Sequence, residues 1–214
     1  MRATLIGATG LIGRHLLELL LQDGHFDPVR ILIRRPVETD HPKLEKHLVD
    51  FTDMPGFRKA VQGSDVIFCC IGTTQKKVKG DKEAYRKVDY DIAVNAAHLG
   101  KQSGCEIFVL VSAIGASSKS RNFYLKLKGE IEEDVKATGI RSILIMRPSL
   151  LLGDRKEFRF GEKLATRLMP VLSFVMPQKY RPIHAKKVAA AMINAARTGL
   201  AGCTIYDYPE FKNQ

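Results

Sequence analysis

The stretch LIGATGLIG, residues 5–13, sets Gly7, Gly10 and Gly13 at even spacing between an apolar run and a helix-like one. Residues 3–7 are strand-like, and the LIGRHLLELLLQ that follows puts Ile12, Leu16, Leu19 and Leu20 on one helical face. A chain that passes from strand to helix through three glycines can turn sharply and bring two backbones together, which side chains at the corner would forbid. This corner constrains the fold from its first element onward.

The same alternation continues along the chain. Residues 29–35, 45–50, 65–72, 106–113, 141–149 and 203–208 read as further strands. The run DVIFCCIG at 65–72 is continuously apolar, which suits a parallel strand covered on both faces. Residues 82–104 read as one long helix carrying Val88, Ile92, Ala96 and Leu99, and residues 185–197 as another. Strand–helix repetition of this kind predicts an α/β fold, a Rossmann-like doubly wound parallel sheet of about seven strands with helices on both faces. No linker divides the chain, so residues 1–214 are expected to form one domain, with an irregular, substrate-facing cap around 150–182. At 214 residues and 45% hydrophobic, the chain has material for such a core.

A glycine corner at the first strand–helix junction has a chemical use. The helix N-terminus offers free amides and the positive end of a dipole, and glycines let a pyrophosphate approach them closely. Gly7, Thr9, Gly10, Leu11, Ile12 and Gly13 are therefore expected to cradle a dinucleotide. The end of the second strand selects which one. A site for NAD usually carries an acidic residue there for the ribose hydroxyls, whereas arginine accommodates a 2′-phosphate. This chain has Arg34 and Arg35, with no carboxylate before Glu38, and the expected cofactor is NADP(H).

Asn122 to Glu130, NFYLKLKGE, can be read with a period of two, as a strand, or as a helix containing Tyr-x-x-x-Lys. In a strand Tyr124 and Lys128 would lie about 13 Å apart, at about 3.3 Å per residue. In a helix they would be neighbours at about 6 Å. The helical spacing of Leu127, Ile131 and Val135, with Gly139 as a stop, selects the helix. There Lys128 would favour the phenolate of Tyr124, whose ordinary pKa near about 10 is too high for proton exchange at neutral pH. Ser112, at the end of the fifth strand, is a candidate to polarise a substrate oxygen.

GATGLIG, the VLVSA strand, YLKLK, MRPSLLLG and RPIHAKKVAAA together resemble the short-chain dehydrogenase/reductase superfamily over nearly the whole chain. The wording around SRNFYLKLKGEIE is most similar to its atypical branch of Tat-interacting oxidoreductase-like proteins. The resemblance implies Tyr124 as general acid–base, Lys128 as its modulator and ribose ligand, and Ser112 as the partner of the substrate carbonyl. It places Asp50 and Phe51 by the adenine, Gly72 beside the cofactor, and Arg147 and Pro148 along the nicotinamide. Two departures stand out: CCIG replaces an Asn-rich motif, and Asp89 stands where many relatives carry asparagine, with Asn95 as the alternative. The absence of a large C-terminal substrate domain argues against a nucleotide-sugar substrate.

The function expected is NADPH-dependent reduction of a small carbonyl-like substrate; the alternative is an NADP(H)-sensing or interaction protein with little turnover. A formal charge of +11 favours anionic partners without choosing among them, and no nucleic-acid motif or basic stripe is present. The partners expected are thus a small-molecule substrate and, secondarily, a second copy of the chain. Cys69, Cys70, Cys105 and Cys203 lack metal-ligand spacing and read as structural thiols. No apolar run reaches transmembrane length, and the chain enters a strand at once, so a cytoplasmic location is expected.

Overall fold

The central strand runs bury both of their faces, and that requirement sets the layers. In the computed structural model, which describes residues 1–74, 78–153, 177 and 180–212, β1 (Ala3–Ile6), β2 (Val29–Ile33), β3 (Leu44–Leu48), β4 (Val66–Cys69), β5 (Ile107–Val111) and β6 (Ser142–Met146) join β9 (Gly202–Tyr206). They form one seven-stranded sheet in the order β3-β2-β1-β4-β5-β6-β9. Every pairing is parallel. The expected doubly wound architecture is what the chain adopts. Strand order reverses at β1, which lies between β2 and β4.

Period-two alternation sorts the strand residues into two cores. Ala3, Leu5, Ile31, Phe68, Val109 and Leu144 face α1 (Leu11–Gln22) and α6 (Ala185–Thr198). Ile6, Leu32, Ile67, Phe108 and Ile145 face α2 (Met54–Val61), α4 (Ile92–Gln102) and α5 (Phe123–Ala137). Adjacent Cys69 and Cys70 divide between the two cores, as neighbours on a strand must. Phe26, Phe57, Phe68 and Phe108 are fully buried, and each such ring stabilises the fold by about 1.5–3 kcal/mol. The edge strand β3 is mostly exposed or half-buried, with Glu45 and Lys46 among its residues. Charge on an edge discourages pairing with another sheet.

Two features depart from the sequence expectations. The stretch expected as one helix is divided: α3 (Lys82–Arg86) and α4 are separated by a π-helical turn, Lys87–Asp91. A π-turn accommodates one extra residue in the helical repeat and rotates the side chains that follow. The sequence carries no glycine or proline there to announce it. The second departure is a small parallel pair, β7 (Leu151–Leu152) with β8 (Ile183–His184). A short α7 (Tyr208–Lys212) follows β9. The cap expected at 150–182 falls mainly on residues 154–176 and 178–179, outside the described residues.

The β1–α1 corner brings backbone against backbone. Gly7 has φ +90°, and a Cβ on it would lie 2.7 Å from the Cys70 carbonyl carbon. A Cβ on Gly13 would lie 2.1 Å from the Gly7 carbonyl oxygen. Backbone, unlike the end of a flexible side chain, cannot yield. Gly13→Ala is therefore expected to destabilise by about 3 kcal/mol, a fall in Tm of about 6–12 °C. Gly24→Ala, where a Cβ would meet nothing within 4 Å, is the control and should leave Tm in place; thermal unfolding of the two variants checks the contrast.

Candidate active site

Because all seven strands run parallel, their carboxyl ends share one edge, and the expected site residues gather there. Gly7 follows β1, Arg34 and Arg35 follow β2, Asp50 follows β3, Gly72 follows β4, Ser112 follows β5 and Arg147 follows β6. A crevice at this edge, next to the reversal of strand order, is where open α/β sheets bind ligands.

The glycine corner fits a pyrophosphate. Gly10 is the N-cap of α1 and supplies no side-chain cap, so the first amides of the helix are not taken by a cap of their own. Thr9 and Gly10 are exposed, Leu11 is half-buried, and Ile12 and Gly13 are buried beneath them. Arg34 and Arg35 are exposed at the next strand end. Asp50 is exposed too, and its carboxylate accepts from the Thr52 hydroxyl at 2.7 Å and the Thr52 N–H at 2.9 Å. Those two bonds hold its pKa below the ordinary carboxylate value. Phe51 differs from an exposed adenine platform: its ring is buried, edge-on to Phe57 at 4.9 Å, which leaves backbone as its available surface.

The NFYLKLKGE stretch is helical, as the spacing predicted. Asn122 caps α5 by accepting the Leu125 N–H at 3.1 Å, which sets Tyr124 and Lys128 one turn apart in the first turns of the helix. Gly129 lets the loop after β5 press against this helix: a Cβ there would lie 2.1 Å from the Ser117 carbonyl carbon and the Ser118 nitrogen. The Tyr124 ring is half-buried and edge-on to Tyr85 at 6.5 Å. Lys128 is 5% exposed, and its Nζ lies 3.0 Å from Oδ2 of Asp89, itself 1% exposed. Burial alone would push the ammonium's pKa down. The Asp89 carboxylate opposes that, with Tyr124 and Tyr85 adding to it, and holds Lys128 above the ordinary lysine range.

A second charged cluster lies one turn further along α5. Glu132, 2% exposed, accepts from the Ser112 hydroxyl at 2.5 Å and from both Nε and a terminal nitrogen of Arg147, at 2.9 and 2.5 Å. Strand alternation explains the meeting, since Ser112 and Arg147 follow β5 and β6 with the parity that faces α5. Two expected site residues are thereby committed within the protein. Ser112 donates a hydrogen bond from its hydroxyl to Glu132, and Arg147 is held as a bidentate partner of the same carboxylate. Pro148 is buried, and its carbonyl accepts the Ile114 N–H at 3.0 Å, tying the loops after β5 and β6 together. Sequence reasoning passed over Glu132. The available signal was its position four residues past Lys128, on the same helix face.

Glu132→Ala should destabilise by about 3 kcal/mol, the low end for breaking a buried ion pair, because the Arg147 side chain keeps 23% exposure. Ser112→Ala leaves the Arg147–Glu132 pair intact and should remove about 1 kcal/mol. Denaturant unfolding of both variants measures the difference.

A family model described as NAD(P)H-binding matches residues 7–198. The chain is 35% identical over 193 residues to Protein HTATIP2 of Rattus norvegicus, covering 89% of this chain and 78% of that protein. It is 36% identical over 200 residues to Protein FMP52, mitochondrial, of Meyerozyma guilliermondii, covering 92% and 85%. Among solved structures, MoeE5 in complex with UDP-glucuronic acid and NAD superposes with a TM-score of 0.75 at 17% identity, over 98% of this chain and 79% of that one. The UDP-glucose 4-epimerase of Thermus thermophilus in complex with NAD gives 0.72 at 19%, over 99% and 81%. At such identities these two report the fold alone.

The relatives also correct one expectation. The cytoplasmic location does not stand, because the similar FMP52 proteins of several yeasts are named as mitochondrial. No helix among the described residues is long and apolar enough to cross a membrane. With the glycine corner, the strand order and these matches in agreement, the chain belongs to the NAD(P)H-binding family, together with the HTATIP2 and FMP52 proteins.

Proposed function

We propose that this chain is an NADPH-dependent oxidoreductase that reduces a small carbonyl-like substrate. One observation carries the reading: a buried, charged Lys128 sits one helical turn from Tyr124, on the edge of the sheet that also carries the glycine corner. A buried ammonium is costly, and placing one beside a phenol has a chemical use. Tyr124 would give its proton to the substrate oxygen as negative charge develops there, and Lys128 would stabilise the phenolate left behind. Proton transfer from a positioned group of this kind contributes about 10²–10⁴-fold in rate. The cofactor, when bound, supplies the hydride.

In this reading Gly7, Thr9, Gly10, Leu11, Ile12 and Gly13 line the pyrophosphate, while Asp50 and the Phe51 backbone border the adenosine. Gly72 lies along the cofactor, and the Arg147–Pro148 segment acts through its backbone. Arg34 and Arg35, exposed at the end of β2, grip a 2′-phosphate and select NADPH over NADH. Residues 1–214 form one cofactor-binding domain. The names of the yeast relatives support a mitochondrial setting.

One contact favours a second reading. With its hydroxyl hydrogen-bonded to Glu132, Ser112 is a positioning residue, and a substrate carbonyl lacks that hydroxyl as a polarising partner. An NADP(H)-sensing protein with little turnover fits the same geometry. NADPH oxidation screened over aldehydes, ketones and quinones separates the two: a substrate-dependent rate supports the reductase, and tight NADPH binding with silence across the panel supports the sensor.

Two variants test the assignments. Tyr124→Phe should keep NADPH affinity while kcat/KM falls by about 10²–10⁴-fold; undiminished turnover removes Tyr124 from the mechanism. Replacing Arg34 and Arg35 with alanine should weaken NADPH by about 10–100-fold and erase its advantage over NADH. Equal affinities for the two cofactors in the unaltered protein would overturn the choice of NADP.

A further inference from the structure

We infer that Asp89 is the fixed counter-ion that keeps Lys128 protonated at working pH, and is thereby a positioning residue for the Tyr124–Lys128 pair. The inference rests on the reading of that pair as an acid–base centre. Its physical basis is separate: two opposite charges, both buried, 3.0 Å apart.

The carboxylate is held from two sides. Its Oδ1 accepts the Thr73 N–H at 2.6 Å, and its Oδ2 faces Lys128. Thr73 is held in turn, since its carbonyl accepts the Tyr85 hydroxyl at 3.1 Å and the Tyr85 ring packs edge-on against Tyr124. Gly72, the residue expected beside the cofactor, precedes Thr73 at the end of β4. One carboxylate therefore joins the loop after β4 to the cation on α5. The π-turn, which contains Asp89, sets the rotation at which it can do so.

The groups facing Lys128 make the carboxylate necessary. From its own helix it meets Tyr124, from α3 Tyr85, from the π-turn Asp89 and from β4 Cys69. Burial first, with Asp89 adding to it, pushes the Cys69 thiol up to about 11, so it carries no charge at neutral pH. Asp89 is the one carboxylate among these four. A buried ammonium among neutral groups sheds its proton, and a neutral Lys128 would do nothing to stabilise a phenolate. An asparagine at position 89 could still accept the Thr73 N–H but would bring no charge. Asp89→Asn thus separates the hydrogen bond from the counter-ion.

The test uses the full chain without cofactor. The side-chain carbon resonances of labelled lysines are followed with pH, and Lys128 is identified by its loss in Lys128→Met. In the unaltered protein Lys128 should remain protonated through and above the ordinary lysine range, about 10.4. In Asp89→Asn its midpoint should fall about three to five units below the ordinary lysine value, at least about a 1000-fold loss of proton affinity, so that the side chain loses its charge around working pH. Asp89→Glu, which returns the charge, should restore it. A midpoint in Asp89→Asn that stays at or above the ordinary lysine range overturns the inference.

Should Asp89→Asn fail to fold, the double variant Asp89→Asn/Lys128→Met removes both charges and should melt above the single variant; a double variant no more stable than the single one also overturns it. In a turning-over protein, Asp89→Asn should gain an alkaline limb in its pH–rate profile, where Lys128 deprotonates. Absence of NADPH oxidation in every variant counts against the reductase reading and leaves the lysine titration to decide the role of Asp89.

Discussion

At the β1–α1 corner the Gly7 carbonyl lies where a side chain on Gly13 would begin, and the Cys70 backbone closes on Gly7 from the neighbouring strand. Three stretches of backbone meet there with no side chains between them. β1 is paired on both edges, to β2 and β4, so its position sets theirs. The turn also lays α1 across one face of the sheet, against α6 and the core around Leu5, Phe68 and Leu144. The start of α1, free of any side-chain cap, is left at the carboxyl edge. A family that binds NAD(P)H needs amides at that edge, and this corner delivers them.

The other face of the sheet carries the charges. Lys128 and Glu132 are buried one turn apart on α5, and each has an opposite charge against it: Asp89 for the lysine, Arg147 for the glutamate. Removing an ion from water costs several kcal/mol, so such groups persist only when paired and hydrogen-bonded. The pairs also act as mechanical ties. Asp89 joins the loop after β4 to α5, and Glu132 joins the ends of β5 and β6 to the same helix. The helix that carries Tyr124 is thereby anchored to three successive strand ends, which holds a half-buried phenol in a fixed orientation at the edge.

Much of this was legible in the residues. The division of Cys69 and Cys70 between two cores follows from strand geometry alone. The helical reading of NFYLKLKGE follows from Leu127, Ile131 and Val135, all of which are buried on α5. The π-turn at Lys87–Asp91 was not legible, because its letters suit an α-helix equally well and the widened turn is stabilised by what Asp89 reaches. The environment of Ser112 was hidden for a related reason. A serine at a strand end suggests a hydroxyl offered to a ligand, and the carboxylate that accepts its hydrogen bond lies twenty residues away, on another element.

The sequence by itself determined the seven strands of the sheet and their alternation with helices, the glycine corner and the helix bearing Tyr124 and Lys128. These follow from periodicity and backbone sterics, which act between residues close in the chain. Only the tertiary structure decided which charges meet: Lys128 with Asp89, and Ser112 and Arg147 with Glu132. Electrostatic pairing in a low-dielectric interior depends on a few ångströms of separation between distant segments. Nothing in the local spelling of the chain encodes that distance.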